Sequence, residues 1–553
     1  MIPIKLAILW HQHQPHYRAG PRMVLPWVRL HSTKDYLEMA QHLEHHPKMH
    51  ATISFVPSLI KQIEEYGEGI EDDLLHIAKK ETSALLPKEN EYLLTECFHT
   101  NYKRMIARSE RYNELFEKKN RGEEFTVSDF RDLTVHHALA WTGEFTREEE
   151  PFASLVKKER DYSEEEKMLL LSAKEKLIAR ILPLHRELCD TGQIEISTTP
   201  YYHPILPLLC DTDSAREAEP DMQLPAKRFS CVGDAYEQVR RAKELYKERF
   251  GCNVSGMWPA EGSISNAALR VLLDEEISWT ASDETVLLNS LNHENSEKDD
   301  RSAGDLEKYF PRKYIANEKE IILFFRDHGL SDKIGFEYAS WDARDAALDF
   351  AQQCRNIRIQ ILDRFGEEIL TQACISIILD GENCWENYYE NGKYFLHEFY
   401  TALTSTSEIE SVTFSDAIEE IGKDKIRALT HITAGSWINA NFNIWIGHPE
   451  KNRAWELLAD AREALDKFEP QGAETQQHYE AAHTSLLKAE GSDWFWWYGE
   501  DNASAQKHIF DVLFRTHVIE VYIHLRLPVP PELHQSIGDG HATYQGGAMH
   551  RAE

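Results

Sequence analysis

Residues 4–17 read IKLAILWHQHQPHY, an apolar run that breaks abruptly into histidine and glutamine. A short continuous apolar run bounded by polar residues is the pattern of a strand buried on both faces. Six further runs share this form: TISFV at 52–56, IEIST at 194–198, GMWP at 256–259, WTAS at 279–282, IILFFR at 321–326 and CISIIL at 374–379. Long helical stretches separate them. Strands that alternate with helices pair in parallel through right-handed crossovers, so these units, with no obvious edge strand, predict an α/β fold closed or nearly closed into a barrel. An open doubly wound sheet is the alternative.

Between the second and third runs, residues 62–190 carry apolar side chains at three- and four-residue spacing, as in NYKRMIARSERYNELFEKK and EEEKMLLLSAKEKLIARILPLHREL. They predict an amphipathic helical insertion whose mixed charges form solvated faces. Residues 284–320 are polar and poorly periodic, which predicts a long loop. Beyond about residue 425 the helical pattern returns in NRAWELLADAREALDKF, QQHYEAAHTSLLKAE and AQKHIFDVLFRTHVIEVYIHLRL. The expected organisation is a barrel over 1–425 including the insertion, then a C-terminal helical bundle over 426–553 that contributes to the cleft. The tail from about 534 is expected to be disordered.

The 553 residues include 61 basic and 93 acidic side chains, a formal net charge of −32. A phosphate backbone would be repelled over most of such a surface, which excludes a nucleic-acid binder held by general basic charge. No run of about 18 apolar residues is present, and the N-terminal apolar stretch is too short for a secretory leader. Eight cysteines lie scattered without a C-x-x-C pair. The expectation is a cytoplasmic protein with no membrane partner. Oligomeric state is not legible.

If the seven runs are barrel strands, the residues just beyond their C-terminal ends share the face where such folds place chemistry. Polar groups collect there: His11, His13 and Gln14; Thr199, Tyr201, Tyr202 and His203; Trp258 and Glu261; Asp283; Arg326, Asp327 and His328; Asp380, Glu382 and Trp385. Any single acid there could simply cap the next helix. Two carboxyl groups from different strands, aimed at one cavity among tryptophans and histidines, are what glycosidic-bond cleavage requires.

These segments resemble glycoside hydrolase family 57, in its α-amylase and amylopullulanase-like branch. Its five short motifs have counterparts in order: HQP at 13–15, GQIEI at 192–196, GMWPAEGSIS at 256–265, ISIILDGENCWE at 375–386 and GSWINANFNIWIGHPEKNRAWELL at 435–458. The resemblance implies a (β/α)7 barrel followed by helices that help build the cleft, and a retaining enzyme acting on α-glucans without a cofactor. It puts the nucleophile on Glu261 and the general acid/base on Asp380, with carboxyl groups about 5–5.5 Å apart, and asks that Asp380 hold a proton near neutral pH. Side chains two apart on a strand share a face, so Glu382 could also reach the site, and only the resemblance favours Asp380.

Around the pair, His13, His203, Asp283, Glu382, Asn439 and Asp501 are expected to meet sugar hydroxyls. Trp258, Trp385, Trp437, Trp445 and Trp494 are candidates for stacking on sugar rings, with core packing as the plain alternative for about half. Arg326 and Asp327 read as an ion pair that orders the sixth loop, and Glu195 as paired with a neighbour beneath the site. GSDWFWWYGEDNAS at 491–504 lacks the polar spacing of a plain helix and reads as a loop over the barrel mouth.

Three other readings compete. A 4-α-glucanotransferase or branching-type transglycosylase would share all the chemistry. A metal-dependent barrel deacetylase or mannosidase is suggested by the histidine-rich start, but the sequence shows no Asp–His ligand cluster beyond His203 and Asp283, so no metal is expected. A non-catalytic carbohydrate-binding protein is the third.

Overall fold

The computed structural model describes residues 2–294, 304–502 and 504–538. Seven strands form the barrel: β1 (Ile4–Gln12), β2 (Ala51–Phe55), β3 (Ile194–Thr198), β4 (Gly256–Met257), β5 (Trp279–Asp283), β6 (Lys319–Arg326) and β7 (Cys374–Asp380). Every neighbouring pair is parallel, and the circle closes because β7 pairs both with β1, from Lys5↔Cys374 to His11↔Asp380, and with β6 at Ser376↔Arg326. The closed barrel is thus the expected one, and the open sheet is excluded.

Side chains alternate along each strand, and this decides what the barrel encloses. Ala7 and Leu9 of β1, Trp279 and Ala281 of β5, Ile322 and Phe324 of β6, and Cys374 and Ile378 of β7 form one interior cluster. Phe414, Ala417, Ile418 and Ile421, from the helix Phe414–Ile421, belong to it too. The intervening residues Ile4, Leu6, Ile8 and Trp10 face the surrounding helices in a second cluster. Carried to the C-terminal ends of the strands, the same parity turns His11, Asp283, Arg326 and Asp380 inward.

The insertion is helical, as expected, with helices such as Glu110–Asn120, Val127–Ala140 and Glu164–Ile178. It has an apolar cluster of its own that includes Leu93, Tyr112, Leu115, Phe130 and Leu133. Its charges are not all on solvated faces. Arg111 bridges Asp129 at 2.7 Å and Asp132 at 2.8 Å, and buried Lys174 donates to the Ala138 carbonyl at 2.7 Å.

Residues 284–320 are not one long loop. Helix Glu284–Glu294 follows β5 directly, seated by buried Val286 and Leu287, and Arg312–Ala316 pairs antiparallel with β6. A polar surface masked two short elements whose apolar contacts are few. Residues 295–303 lie outside the described residues.

Near the C-terminus, helices Pro449–Asp466, Ala473–Ala489 and Lys507–His524 pack on one another, and their Leu458, Leu486 and Val518 join the same apolar cluster as the outer face of β1. Ile537 N still donates to Asp511; the tail from 539 lies outside the described residues. Among the described residues no helix is long and apolar enough to cross a membrane, and all eight cysteines are free.

Gly256 of β4 lies against the Trp279 ring: a Cβ there would fall 1.8 Å from that indole. Gly256→Ala should lower the unfolding free energy by about 2 kcal/mol or more, as overpacked core sites do. Denaturant unfolding of the variant beside the wild type measures it.

Candidate active site

Glu261 lies in the turn after β4 with φ 57° and ψ 25°, a left-handed conformation unusual for a residue with a Cβ. Gly262 follows at φ 61°, where a Cβ would meet the Trp258 ring at 2.7 Å, so glycine is required there. The turn is held from outside the barrel. Ile264 and Gly435 exchange backbone hydrogen bonds of 2.9 and 3.1 Å, and Trp437 N donates to the Glu261 carbonyl at 2.9 Å. The Trp437 indole N–H then donates to Glu261 Oε2 at 2.7 Å. The segment after residue 434 therefore aims a carboxyl group that β4 only carries.

Asp380 ends β7 and faces the same cavity, about 790 Å³ in volume, that Glu261 lines. Asn383 Nδ2 donates to its Oδ2 at 3.0 Å. Glu382 also lines the cavity but is buried: its Oε1 accepts from His13 N at 3.2 Å and from Gln14 Nε2 at 3.4 Å. The choice left open on the strand is thereby narrowed, since Asp380 keeps access to the cavity while Glu382 ties the first strand to the last.

Burial raises all three carboxyl groups. Glu261 is pushed up to about 8 by its desolvation and by the charge of Asp380, against the opposing hydrogen bond from Trp437. Desolvation also raises Asp380, opposed by Asn383, His13 and Arg326, and it lifts Glu382 well above the carboxylate range. Asp380 has three groups that stabilise its charge and Glu261 has one.

Three histidines stack beside the acids, with centroids 3.8 Å apart for His13 and His203 and 5.2 Å for His11 and His203. Burial, then repulsion among neighbouring histidines, lowers the pKa of His11 and His203, so both are neutral. His203 is shut off from the cavity, holding Ser492 Oγ at 2.9 Å, whereas His13 lines it and pairs with Asp493 at 2.7 Å. His13, His203 and Asp493 offer ligand atoms within 4.8 Å of one another, an Asp–His cluster built with Asp493 that sequence spacing did not reveal. It is a poor cage for a cation as it stands. Rings stacked 17° from parallel send their in-plane lone pairs side by side instead of toward one point.

Asp283 is buried outside the cavity wall; it pairs with Arg326 at 3.5 Å and His328 at 3.3 Å, and those two line the cavity. Arg326 is not paired with Asp327, as expected, but with Asp332 at 2.7 Å; Asp327 caps helix His328–Asp332 and accepts from Tyr309. A helical turn brings Asp332 back over Arg326, which spacing along a strand could not indicate. Glu195 accepts from Trp279 Nε1 at 2.8 Å and from Ser415, away from the cavity.

Of the tryptophans, Trp437 and Trp445 line the cavity, but Trp258, Trp385 and Trp494 are buried away from it. Trp385 donates to the Gly381 carbonyl at 2.8 Å and Trp494 to the Lys488 carbonyl at 2.8 Å, so both are structural. Trp258 packs against Trp437 at 5.3 Å. The 491–504 segment begins as a short helix, Ser492–Trp496, then turns across the mouth, bringing Asp493, Trp496, Trp497 and Asp501 to the cavity. Asp501 is held by Lys451, and Asn439 lies in the wall at φ 54°. Sequence reading missed Trp27, in the helix Trp27–His31, and His99 and Asn101, which bring the insertion to the same wall. None of the three follows one of the seven strand runs, so position along the chain carried no signal of them.

The raised Glu261 predicts a pH-dependent stability. Its folded form binds the extra proton between about 4.5 and about 8, so its contribution is intact below 4.5 and lost as pH rises through 8. Glu261→Gln should therefore gain melting temperature over wild type as pH climbs from 5 to 8, and calorimetry across that window tests it.

The chain is similar to known proteins in sequence family and in fold. The model of a family described as glycosyl hydrolase family 57 matches residues 7–433. No curated protein matches the sequence. Among solved structures, the branching enzyme of Pyrococcus horikoshii superposes with a TM-score of 0.57 at 15% identity, covering 99% of this chain and 100% of that one. The α-amylase AmyC of Thermotoga maritima gives 0.58 at 14% identity, over 95% of this chain and 93% of that one. The 4-α-glucanotransferase of Thermococcus litoralis gives 0.50 at 15% identity, over 94% of this chain and 60% of that one. At these identities the likeness is one of fold.

Proposed function

We propose that this chain, which belongs to glycosyl hydrolase family 57, is a retaining enzyme of α-glucans that cleaves α-1,4 linkages. The observation that carries this reading is a single cavity onto which Glu261 and Asp380 both open, walled by Trp437, Trp445, Trp496 and Trp497. Acids from two strands supply general acid catalysis and a nucleophile, and indole faces suit sugar rings. The amylase likeness, which covers nearly all of both chains, supports hydrolysis. Transfer to a second sugar would use the same groups.

In the first step Glu261 attacks the anomeric carbon while Asp380 gives its proton to the departing oxygen. Asp380 then takes a proton from the incoming water, which releases the sugar from Glu261. This step needs a proton on Asp380 and a charge on Glu261. A bound sugar displaces water from Asp380, which favours its neutral form, and positive charge developing at the anomeric carbon favours an ionised Glu261. Trp437 N–H holds the attacking carboxylate in line, and Arg326, fixed by Asp283 and Asp332, offsets the negative charge of the pocket.

Azide rescue tests the roles. With an α-glycosyl fluoride, Glu261→Ala plus azide should yield the β-glycosyl azide and Asp380→Ala plus azide the α-anomer, each variant losing about 10³-fold or more without azide. Swapped anomers would reverse the assignment. Chromatography of maltooligosaccharide products should show shortened chains; lengthened chains would make the enzyme a transferase.

A further inference from the structure

Exposed aromatic rings are distributed unevenly over this molecule. Among the described residues five are exposed: Tyr102 at 45%, Phe336 at 41%, Trp341 at 46%, Tyr389 at 61% and Tyr394 at 51%. The other large exposed apolar residues are aliphatic or Met and lie scattered, as single surface residues usually do. All five aromatics sit on three chain segments that adjoin one another. Arg104, two residues from Tyr102, donates to the Asn387 carbonyl at 2.9 Å and to the Ala339 carbonyl at 3.2 Å, and Asn101 donates to Asn387 Oδ1 at 3.2 Å. One guanidinium thus ties together the edge of the insertion, the loop after β6 and the loop after β7.

The patch is continuous with the cleft, because Asn101, Phe336 and Glu386 line the cavity wall. Three residues beyond Glu386, the Tyr389 ring stacks beside that of Tyr394, with centroids 6.1 Å apart and planes 18° from parallel, and both rings stay exposed. Trp341 is held edge-on by Tyr338, with Lys333 over its ring at 5.6 Å. Glu390 and Asn391, between the two tyrosines, have φ 45° and 53°, a left-handed pair that sets the loop's shape. Asn391 in turn is anchored, accepting from Lys34 and donating to Glu38 at 3.0 Å.

We propose that this surface is an extended glucan-binding track, on which a polymer chain running out of the cleft past Phe336 rests its sugar rings on Trp341, Tyr389 and Tyr394. The proposal rests on the reading of the cleft as an α-glucan site. Rings separated by polar residues match the alternating apolar faces and hydroxyl rims of a sugar chain, and the patch continues the wall of the cleft. The track would matter only for substrates long enough to reach it.

The test is affinity electrophoresis in gels containing glycogen or amylose, with kinetics on the same polymers and on maltotetraose. The triple variant Trp341→Ala, Tyr389→Ala, Tyr394→Ala should be retarded about tenfold less and show about tenfold higher KM on polymer, with maltotetraose turnover unchanged. That last measurement also shows that the variant folds. Equal retardation of variant and wild type, or a wild type not retarded at all, would overturn the track, as would a change in sedimentation that marks the patch as a contact between copies. Retardation lost in the variant while wild type turns over no glucan would keep the track and refute the enzymatic reading.

Discussion

Three carboxyl groups drawn out of water around one cavity cannot all be charged, and much of the site's construction answers that restriction. Among the described residues Arg326 is the one arginine or lysine in the wall, and part of its charge already goes to Asp332 and Asp283. His328 adds a second positive group, pushed up to about 9 by Asp283 and Asp332. The remaining imbalance is met by protons. Burial raises Glu382, held against the His13 backbone, and raises both members of the Glu261–Asp380 pair, which favours their protonated forms. A site poised in this way changes its protonation when a ligand changes the local solvation, which is what acid–base chemistry at neutral pH asks of it.

The barrel alone does not make this site. Alternation along β1, β5, β6 and β7 turns His11, Asp283, Arg326 and Asp380 inward, but Glu261 reaches the cavity from a left-handed turn that a strand would not adopt. That turn is clamped by the Ile264–Gly435 bridge and by both nitrogens of Trp437. The strain of a non-glycine residue at positive φ is thus borne by contacts formed nearly two hundred residues further along the chain. The helices after residue 449 complete the arrangement by carrying Asp493, Trp496 and Trp497 over the mouth, where Asp493 meets His13 from the first strand. First and last parts of the chain meet at the reacting centre.

Aromatic residues divide by depth. Trp258, Trp279 and Trp385 fill the barrel and its flank, Trp445 is fully buried at the edge of the cleft, Trp437, Trp496 and Trp497 wall it, and Trp341 with Tyr389 and Tyr394 lies in the open beyond it. A graded series from packed core to open surface suits a polymer that enters a cleft and leaves over the surface. Polar anchors such as Asn387 and Asn391 keep the outermost loops in place without covering the rings.

The seven strands, their parallel order and the helical insertion were legible in the amino-acid order, because buried parallel strands are continuous apolar runs, and the polar residues gathered at the barrel mouth were legible because they sit immediately after them. Two-residue parity also set which strand-end side chains turn inward. Which of those groups reach the cavity was settled by packing in three dimensions. Asp283 and Asp380 end their strands alike, yet one is enclosed by Arg326 and His328 and the other opens to the cleft. Trp385 and Trp437 both look like sugar platforms in a motif, yet only Trp437 has a face in the wall. Those outcomes depend on contacts between segments hundreds of residues apart, such as His13 with Asp493 and Glu261 with Trp437, and local periodicity carries no record of them.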